Sequence, residues 1–299
     1  MVMNERKPIP FMRVAPFAIA ISLTIIVLGI IFYALKGGFE VGIDFKGGYR
    51  AEVAIGQSVS VGEVRSVFKN RGIAANVTTV GLVTDNRFVI TVPYEAGSDG
   101  IALIRDVLTQ VYGQDKVQIM GTTVVEAKVG KSFVYRALNL IWVVSLIVLL
   151  YVVIRFDFSY GVGAILAMAH DLFIMLAFAV FMRIPIDITI IAAILTILGY
   201  SINDTIVVFD RIREKKQLAK EENFLMVIDQ SVTEVLDRSI ITSLTTLFSA
   251  VALYIWGGEV LRNFSFLLIV GLISGTYSSV MIGSPVTAGV RMLLTKEAK

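Results

Sequence analysis

The chain has 299 residues, 56% of them hydrophobic, with a mean hydropathy of +0.78 and several apolar runs of spanning length, so it reads as a polytopic membrane protein. The net charge of +3 comes from Lys and Arg clustered at the ends of apolar runs, a pattern of membrane topology and not of a nucleic-acid surface. The absence of cysteine excludes thiol chemistry, disulfides and cysteine metal sites, and His170 is the single histidine.

Residues 1–13 are polar and place Arg6, Lys7 and Arg13 ahead of the first apolar run, 17–35. That run is longer than a signal-peptide core, and Leu35-Lys36-Gly37-Gly38 offers no small-x-small cleavage site. The expectation is a retained anchor with its N-terminus inside, making 1–35 the first segment of the chain.

From 36 to 132 the composition is that of a soluble domain. Strands are expected at 49–55 and 117–125, helices at 61–69 and 100–112, and a hairpin of 76–83 with 87–93 around Asp85-Asn86. The order βαββαβ is the ferredoxin-like split motif, an α+β fold. Such a domain also serves as an interaction module without chemistry, and it contains no phosphate loop, metal cluster or nucleophile–base pair.

Five further apolar runs follow within 133–299, at 134–154, 160–182, 188–209, 240–256 and 264–292, giving six transmembrane helices. Between the fourth and fifth lies a basic, amphipathic stretch, 211–237, with Phe224, Leu225, Ile228, Val232, Val235 and Leu236 at helical spacing; it is expected as a cytoplasmic loop. If the spans alternate, Arg6, Lys7 and Arg13, then Arg211, Arg213, Lys215, Lys216 and Lys220, then Arg291, Lys296 and Lys299 share one side, against Arg183 and Arg262 on the other. The positive-inside rule then makes both termini cytoplasmic and the 36–132 domain extracytoplasmic, between the first and second helices.

The fourth span holds Asn203-Asp204 at membrane depth, where a carboxylate costs about 2.5 to 3.5 kcal/mol and normally faces a partner or a watery cavity. Asp204 lies about 9 Å below Asp210 along a helix, and Arg238 opens the antiparallel fifth span at a matching depth. An Asp204–Arg238 pair is expected, breakable by protonating the carboxylate; a static pair that only fixes packing is the alternative. Asp210 and Arg211 fall at the water boundary, where a solvated helix end explains them equally well. His170-Asp171, mid-span, suits a proton relay or an imidazole bonded to a neighbouring helix. Gly271, Ser274, Gly275, Ser278 and Ser279 mark close helix packing. Asp171 and Asp204 on adjacent spans also raise an intramembrane aspartyl protease, but the Gly-x-Gly-Asp motif is absent, since Gly199 precedes Tyr-Ser-Ile-Asn.

The run Gly42-Ile43-Asp44-Phe45-Lys46-Gly47-Gly48 resembles the G-x-D-F-x-G-G signature of the SecD/SecF family. So do G-Y-S-I-N-D-T-I-V-V-F-D-R-I-R-E from Gly199 to Glu214, Thr242-Ser243-Leu244-Thr245-Thr246, Gly257-Gly258-Glu259 and Gly275-Thr276-Tyr277-Ser278-Ser279. The resemblance covers the whole chain. It implies a SecF-type, RND-related subunit of a bacterial cytoplasmic membrane, without enzyme activity, associating with SecD beside the SecYEG channel and with YajC or YidC. It further implies use of the proton-motive force, with protons as the coupling ion and no other cofactor, to help an unfolded polypeptide across. Positions Asp204 and Arg238 match family residues of the proton pathway, to which SecD adds a further Asp. Lys46, Asp237 and Gly283 depart from the usual pattern, and Asp237 is a second carboxylate that competes for Arg238. On this reading, helix movement tilts the outer domain through the first span, Gly37-Gly38 and the 42–48 turn; a passive assembly subunit with structural charges is the rival.

Overall fold

A computed structural model describes residues 7–80, 85–94, 99–125, 127–218 and 223–297. Of the residues named above, Arg6, Lys220 and Lys299 lie outside the described residues, as does the 81–83 end of the expected hairpin. Six helical stretches are long and apolar enough to cross a membrane. They are α1 (Phe11–Leu35), α5 (Ala127–Arg155), α6 (Phe158–Phe181), α7 (Ile188–Leu218), α8 (Phe224–Trp256) and a sixth built from α9 (Gly258–Ser278) and α10 (Ser284–Glu297) joined through a π-helical segment, Ser279–Gly283. With a four-stranded antiparallel sheet between α1 and α5 in the chain, this is a membrane protein carrying a sheet domain.

The first helix begins six residues before its apolar run because another helix caps it. Pro10 provides no side-chain cap, and the first-turn N–H of Met12 instead donates to Asp229 Oδ1 of α8 at 2.9 Å, while Ile9 N–H donates to Thr233 Oγ1 at 2.9 Å. The stretch expected as a loop at 211–237 is mostly helix. α7 continues to Leu218 and α8 starts at Phe224, with Asn223 Oδ1 accepting from Leu225 N–H as its cap. The apolar spacing noted in the sequence explains why: Ile228 and Val232 are fully buried against Ile212 of α7 in the core of the bundle. Arg211 pairs with Glu214 and Glu234, and Lys215 reaches Glu234 at 2.6 Å, which pins the two extensions together.

The sheet domain runs through a short α2 (Ile43–Lys46), then β1 (Gly48–Ile55), α3 (Val61–Lys69), β2 (Asn76–Thr79), β3 (Arg87–Pro93), α4 (Gly100–Tyr112) and β4 (Val117–Val125). The strand order is β2-β3-β1-β4, every neighbouring pair antiparallel, with Ala51 opposite Ile90 and Thr122. Alternate residues of β1 and β3 turn inward, so Ala51, Val53, Phe88 and Ile90 pack with Val64 and Phe68 of α3 and Ile104 and Leu108 of α4 in a core separate from that of the bundle. β4, on the edge, is largely exposed, Met120 and Val124 included.

α3 starts with a capping box: Glu63 N–H donates to Ser60 Oγ, and Ser60 N–H donates to Glu63 Oε2 at 2.7 Å. The bonds from the Ser60 backbone and side chain hold the Glu63 carboxyl below its usual range. Because the folded-state value is depressed, the stabilisation is present above the ordinary carboxylate range and is lost as pH falls through it.

A fragment of residues 36–132 is expected to show mixed α/β circular dichroism and one cooperative urea transition at neutral pH. Ser60→Ala should lower its stability by about 1 kcal/mol, and the difference from wild type should shrink as the medium is acidified. An identical urea midpoint for both proteins at neutral pH would contradict this account of α3.

Candidate functional site

α6, α7 and α9 meet around a carboxylate that no solvent reaches. Asp171 is 0% exposed and accepts hydrogen bonds from Ser201 Oγ of α7 (2.6 Å), from Ser274 Oγ (2.6 Å) and Ser278 Oγ (2.8 Å) of α9, and lies 3.1 Å from His170 Nδ1. Four partners occupy its acceptor sites, which offsets the cost of holding it about 15 Å from the end of α6, near mid-membrane. His170 therefore finds its partner on its own helix and not on a neighbouring one. Its Nε2 is buried with no hydrogen-bond partner among the described residues, and its ring sits 5.8 Å from that of Tyr277. Tyr277 ties α9 to α1, donating to Ala18 O at 2.5 Å and accepting from Ser22 Oγ at 3.0 Å.

Three residues along α7 from Ser201, Asp204 lines a cavity of about 260 Å³ between α7, α8 and α9. Its walls are Tyr200, Ser201, Asn203, Thr242, Ser243, Thr245, Thr246, Gly271, Leu272, Gly275 and Thr276, so hydroxyls dominate a site at membrane depth. Asp204 is 7% exposed and accepts from Ser243 Oγ at 3.2 Å; Ser243 in turn accepts from Thr276 Oγ1 at 2.6 Å. The arrangement is a chain of exchangeable protons running from α9 through α8 to a carboxylate on α7. Asn203 stands on the exposed rim.

Arg238 does not close on Asp204. Among the described residues the ion pairs within 4.0 Å include none between the two, and the Arg238 side chain is exposed. Matching depth fixed the height of both groups but not the side of α8 on which the guanidinium leaves. Asp210, eight residues before the end of α7, pairs with Arg155 at the end of α5 at 3.1 Å, both side chains about half exposed, as a boundary position allows. Asp171 and Asp204 each hydrogen-bond to hydroxyls and not to each other, which is not the shared-proton geometry of an aspartyl protease. Among the described residues no three His, Asp or Glu side chains converge as a metal site.

Ser201, Ser243, Thr276 and Ser274 are the partners that sequence reasoning did not single out as site residues. A signal was there: Ser274 and Ser278 are four apart and share a helix face, aimed at the span that carries an Asp at mid-depth. The small residues act as expected for packing in part. A Cβ on Gly271 would come within 2.5 Å of Ile197, and one on Gly275 within 3.1 Å of Ser201 Cβ, so α9 lies directly on α7.

Replacing Ser274, Ser201 or Ser278 singly by Ala should cost about 0.6 kcal/mol each in detergent unfolding, and no more than about 1.7, the mean and the maximum for hydrogen bonds inside membrane bundles. Asp171→Leu, which strands three buried hydroxyls at once, should cost more than any of them. Equal stabilities across the series would show that the cluster does not hold the helices.

Residues 104–292 match the family described as Protein export membrane protein SecD/SecF, C-terminal. The protein translocase subunit SecF of Alicyclobacillus acidocaldarius is 37% identical over 291 residues, covering 96% of this chain and 94% of that one. That of Haemophilus influenzae is 36% identical over 274 residues, covering 91% and 83%. Among solved structures, SecDF from Thermus thermophilus, described as a translocon-associated membrane protein, superposes with a TM-score of 0.83 at 31% identity over 97% of this chain. SecDF in a super-membrane-facing form gives 0.70 at 30% identity over 100%. The present chain spans 40% and 41% of those longer SecDF chains. A match over most of the length, together with the seam of motif residues Asp204, Ser243 and Thr276, means that the chain belongs to the SecD/SecF family of protein-export membrane proteins, on its SecF side.

Proposed function

We propose that the chain is the SecF-type subunit of a bacterial Sec translocase that, together with SecD and beside the SecYEG channel, uses the proton-motive force to promote export of unfolded polypeptides. It is a transport component and not an enzyme. The observation that bears most on this reading is the hydroxyl-lined cavity at Asp204, because a carboxylate held by a single hydroxyl beside a polar cavity can exchange a proton without dismantling the bundle. Protonation of Asp204 changes its balance with Ser243 and with Arg238, and the helices that line the cavity repack. Asn203 serves at the rim, and His170 with Asp171 serves as the inner end of the polar seam, reached through Ser201, which both lines the cavity and donates to Asp171. Asp210, paired with Arg155, closes the cytoplasmic end.

The element order and the strand order β2-β3-β1-β4 support reading 36–132 as a ferredoxin-like domain. We place it outside the membrane, with both termini in the cytoplasm of a cell whose inner membrane holds the six spans. SecD supplies a further proton-pathway carboxylate, YajC and YidC are further neighbours, and the assignment to the RND group follows from the family resemblance. The rival, a passive assembly subunit, draws on the closed cluster around Asp171, whose filled acceptor sites suit a fixed strut.

Asp204→Asn separates the two. In vesicles holding the complete complex it should abolish the gradient-dependent part of export while ATP-driven export persists, and Ser243→Ala should slow the gradient-dependent part about three- to tenfold. Arg238→Lys keeps the charge, and because Arg238 makes no ion pair with Asp204 within 4.0 Å among the described residues it should leave most of the gradient-dependent rate. Wild-type gradient-dependent rates in Asp204→Asn at normal subunit levels would sink the proton role. For topology, a reporter after Lys299 should be cytoplasmic and one inserted near Ser98, which lies outside the described residues, extracytoplasmic; both on one side would refute the arrangement of spans.

A further inference from the structure

The membrane bundle and the sheet domain are joined by backbone hydrogen bonds at a place where the first span is not involved. Leaving α1, the chain turns at Gly37 (φ +78°) and Gly38 (φ +106°), where Gly38 N–H donates to Tyr33 O at 2.8 Å and the Tyr33 and Phe39 rings meet, contacts that tie the turn back to the end of α1. At the other end of the domain β4 leads into α5, which packs on α6 and also lies against α2, so it flanks the same junction. Segment 40–44 makes the joining bonds. Ile186 N–H donates to Glu40 O at 2.7 Å and Gly42 N–H donates to Ile186 O at 2.8 Å, a parallel bridge that sets Val41 beside Ile186 in the turn between α6 and α7. Arg183 Nη2 pairs with Glu40 at 2.5 Å across the same junction.

The side chain of Asp44 completes it. The first N–H groups of α7 have no partner within the helix. Asp187 Oδ1 accepts from Ile190 N–H at 3.0 Å, and Asp44 Oδ2, from the domain side, accepts from Ile188 N–H at 3.2 Å. Two carboxylates at a helix N-terminus also oppose its dipole favourably. The glycines of the G-x-D-F-x-G-G run are required by contact: a Cβ on Gly42 would lie 2.9 Å from Asp187 Cβ and 3.1 Å from Ile186 O, and one on Gly48 would lie 2.7 Å from Val92 O of β3. One end of this seven-residue run is thus fused to the start of α7, and the other to the sheet. From Ile188, α7 continues as helix without a break past Asp204, about 24 Å away.

We propose that segment 40–44 is the joint through which a displacement of α7 reaches the sheet domain, and that Asp44 is the positioning residue that keeps it closed. This rests on the reading of Asp204 as the proton-responsive group. Movement is transmitted along α7 and across the 42–186 bridge, and not through the first span as the sequence alone suggests. The joint stays shut during the cycle, so the domain follows the end of α7 as a rigid attachment.

The test uses the absence of native cysteine. Bridge partners sit about 4.8 Å apart, within the span a disulfide tolerates, so Val41→Cys with Ile186→Cys can be locked by oxidation in the full complex in vesicles. The locked protein should export at wild-type gradient-dependent rates. Asp44→Ala, which removes the acceptor for Ile188 N–H, should lower the gradient-dependent rate about fivefold without changing ATP-driven export, and Asp44→Asn, which retains an acceptor oxygen, should restore most of it. In the Asp44→Ala background the oxidised lock should rescue the rate, and reductant should remove the rescue, a reversal that a simple folding defect cannot show. Loss of export on locking the otherwise native joint, or full activity in unlocked Asp44→Ala, would overturn the proposal. Asp204→Asn run alongside separates the two readings: wild-type rates there refute the proton role, while the joint still stands or falls on whether Asp44→Ala slows total export and the lock restores it.

Discussion

A carboxylate with no access to water at the centre of a membrane bundle can persist only if its neighbours are arranged around it, and the rest of this structure is compatible with that demand at Asp171. Its donors come from two other helices, so their relative rotation and height are fixed to within hydrogen-bond tolerance. That in turn requires helices close enough for short side chains to meet. Ser201, Ser274, Ser278 and the packing of Gly275 on Ser201 provide the approach. Once α7 is fixed through Ser201, Asp204 three residues later is turned toward the α8–α9 side, where the cavity lies. The π-helical segment after Ser278 follows the same logic. It begins at Ser279, whose Oγ meets Thr205 Oγ1 at 2.9 Å while Ser278 faces Asp171, and its extra residue shifts the phase of the part of the sixth span that follows.

Much of this was legible in the sequence where one kind of local signal acted alone. The helices at 61–69 and 100–112 have the bounds expected, because a capping Ser60 or Asp99 opens each and apolar residues recur at helical spacing. The six spans follow from apolar length. What was missed involves contacts between elements distant in the chain. α1 starts early because Asp229 of α8 caps it, and no residue near position 11 announces that. The 211–237 stretch has helical spacing, but whether it is loop or helix depends on its apolar face meeting Ile212, a tertiary fact. In the site, counting residues along a helix gave depth without azimuth, so Asp204 and Arg238 were matched in height although the structure leaves them apart. Hydroxyls went unnoticed for a different reason: Ser and Thr cost little in an apolar helix and bond to their own backbone, as Thr205 does to Ser201 O, so nothing in hydropathy marks them as partners of a charge.

The two acidic groups of the bundle differ in how completely they are satisfied, and that difference divides the structure mechanically. Around Asp171 every acceptor site is taken, and removing any one donor leaves a buried polar atom exposed to hydrocarbon, so α6, α7 and the start of the sixth span behave as one body. Around Asp204 a single hydroxyl faces the carboxylate, the walls are lined by groups that can turn, and one wall is α8, of whose apolar window only 11% is buried. On the reading proposed above, a change of charge at Asp204 acts on the cavity walls that α7, α8 and α9 contribute and leaves the closed cluster intact. Since α7 belongs to the rigid body and its outer end is bonded to segment 40–44, the same body includes the attachment of the sheet domain. Movement of α8 relative to that body is then movement relative to the domain as well, so a rearrangement at the cavity changes how the domain stands against α8.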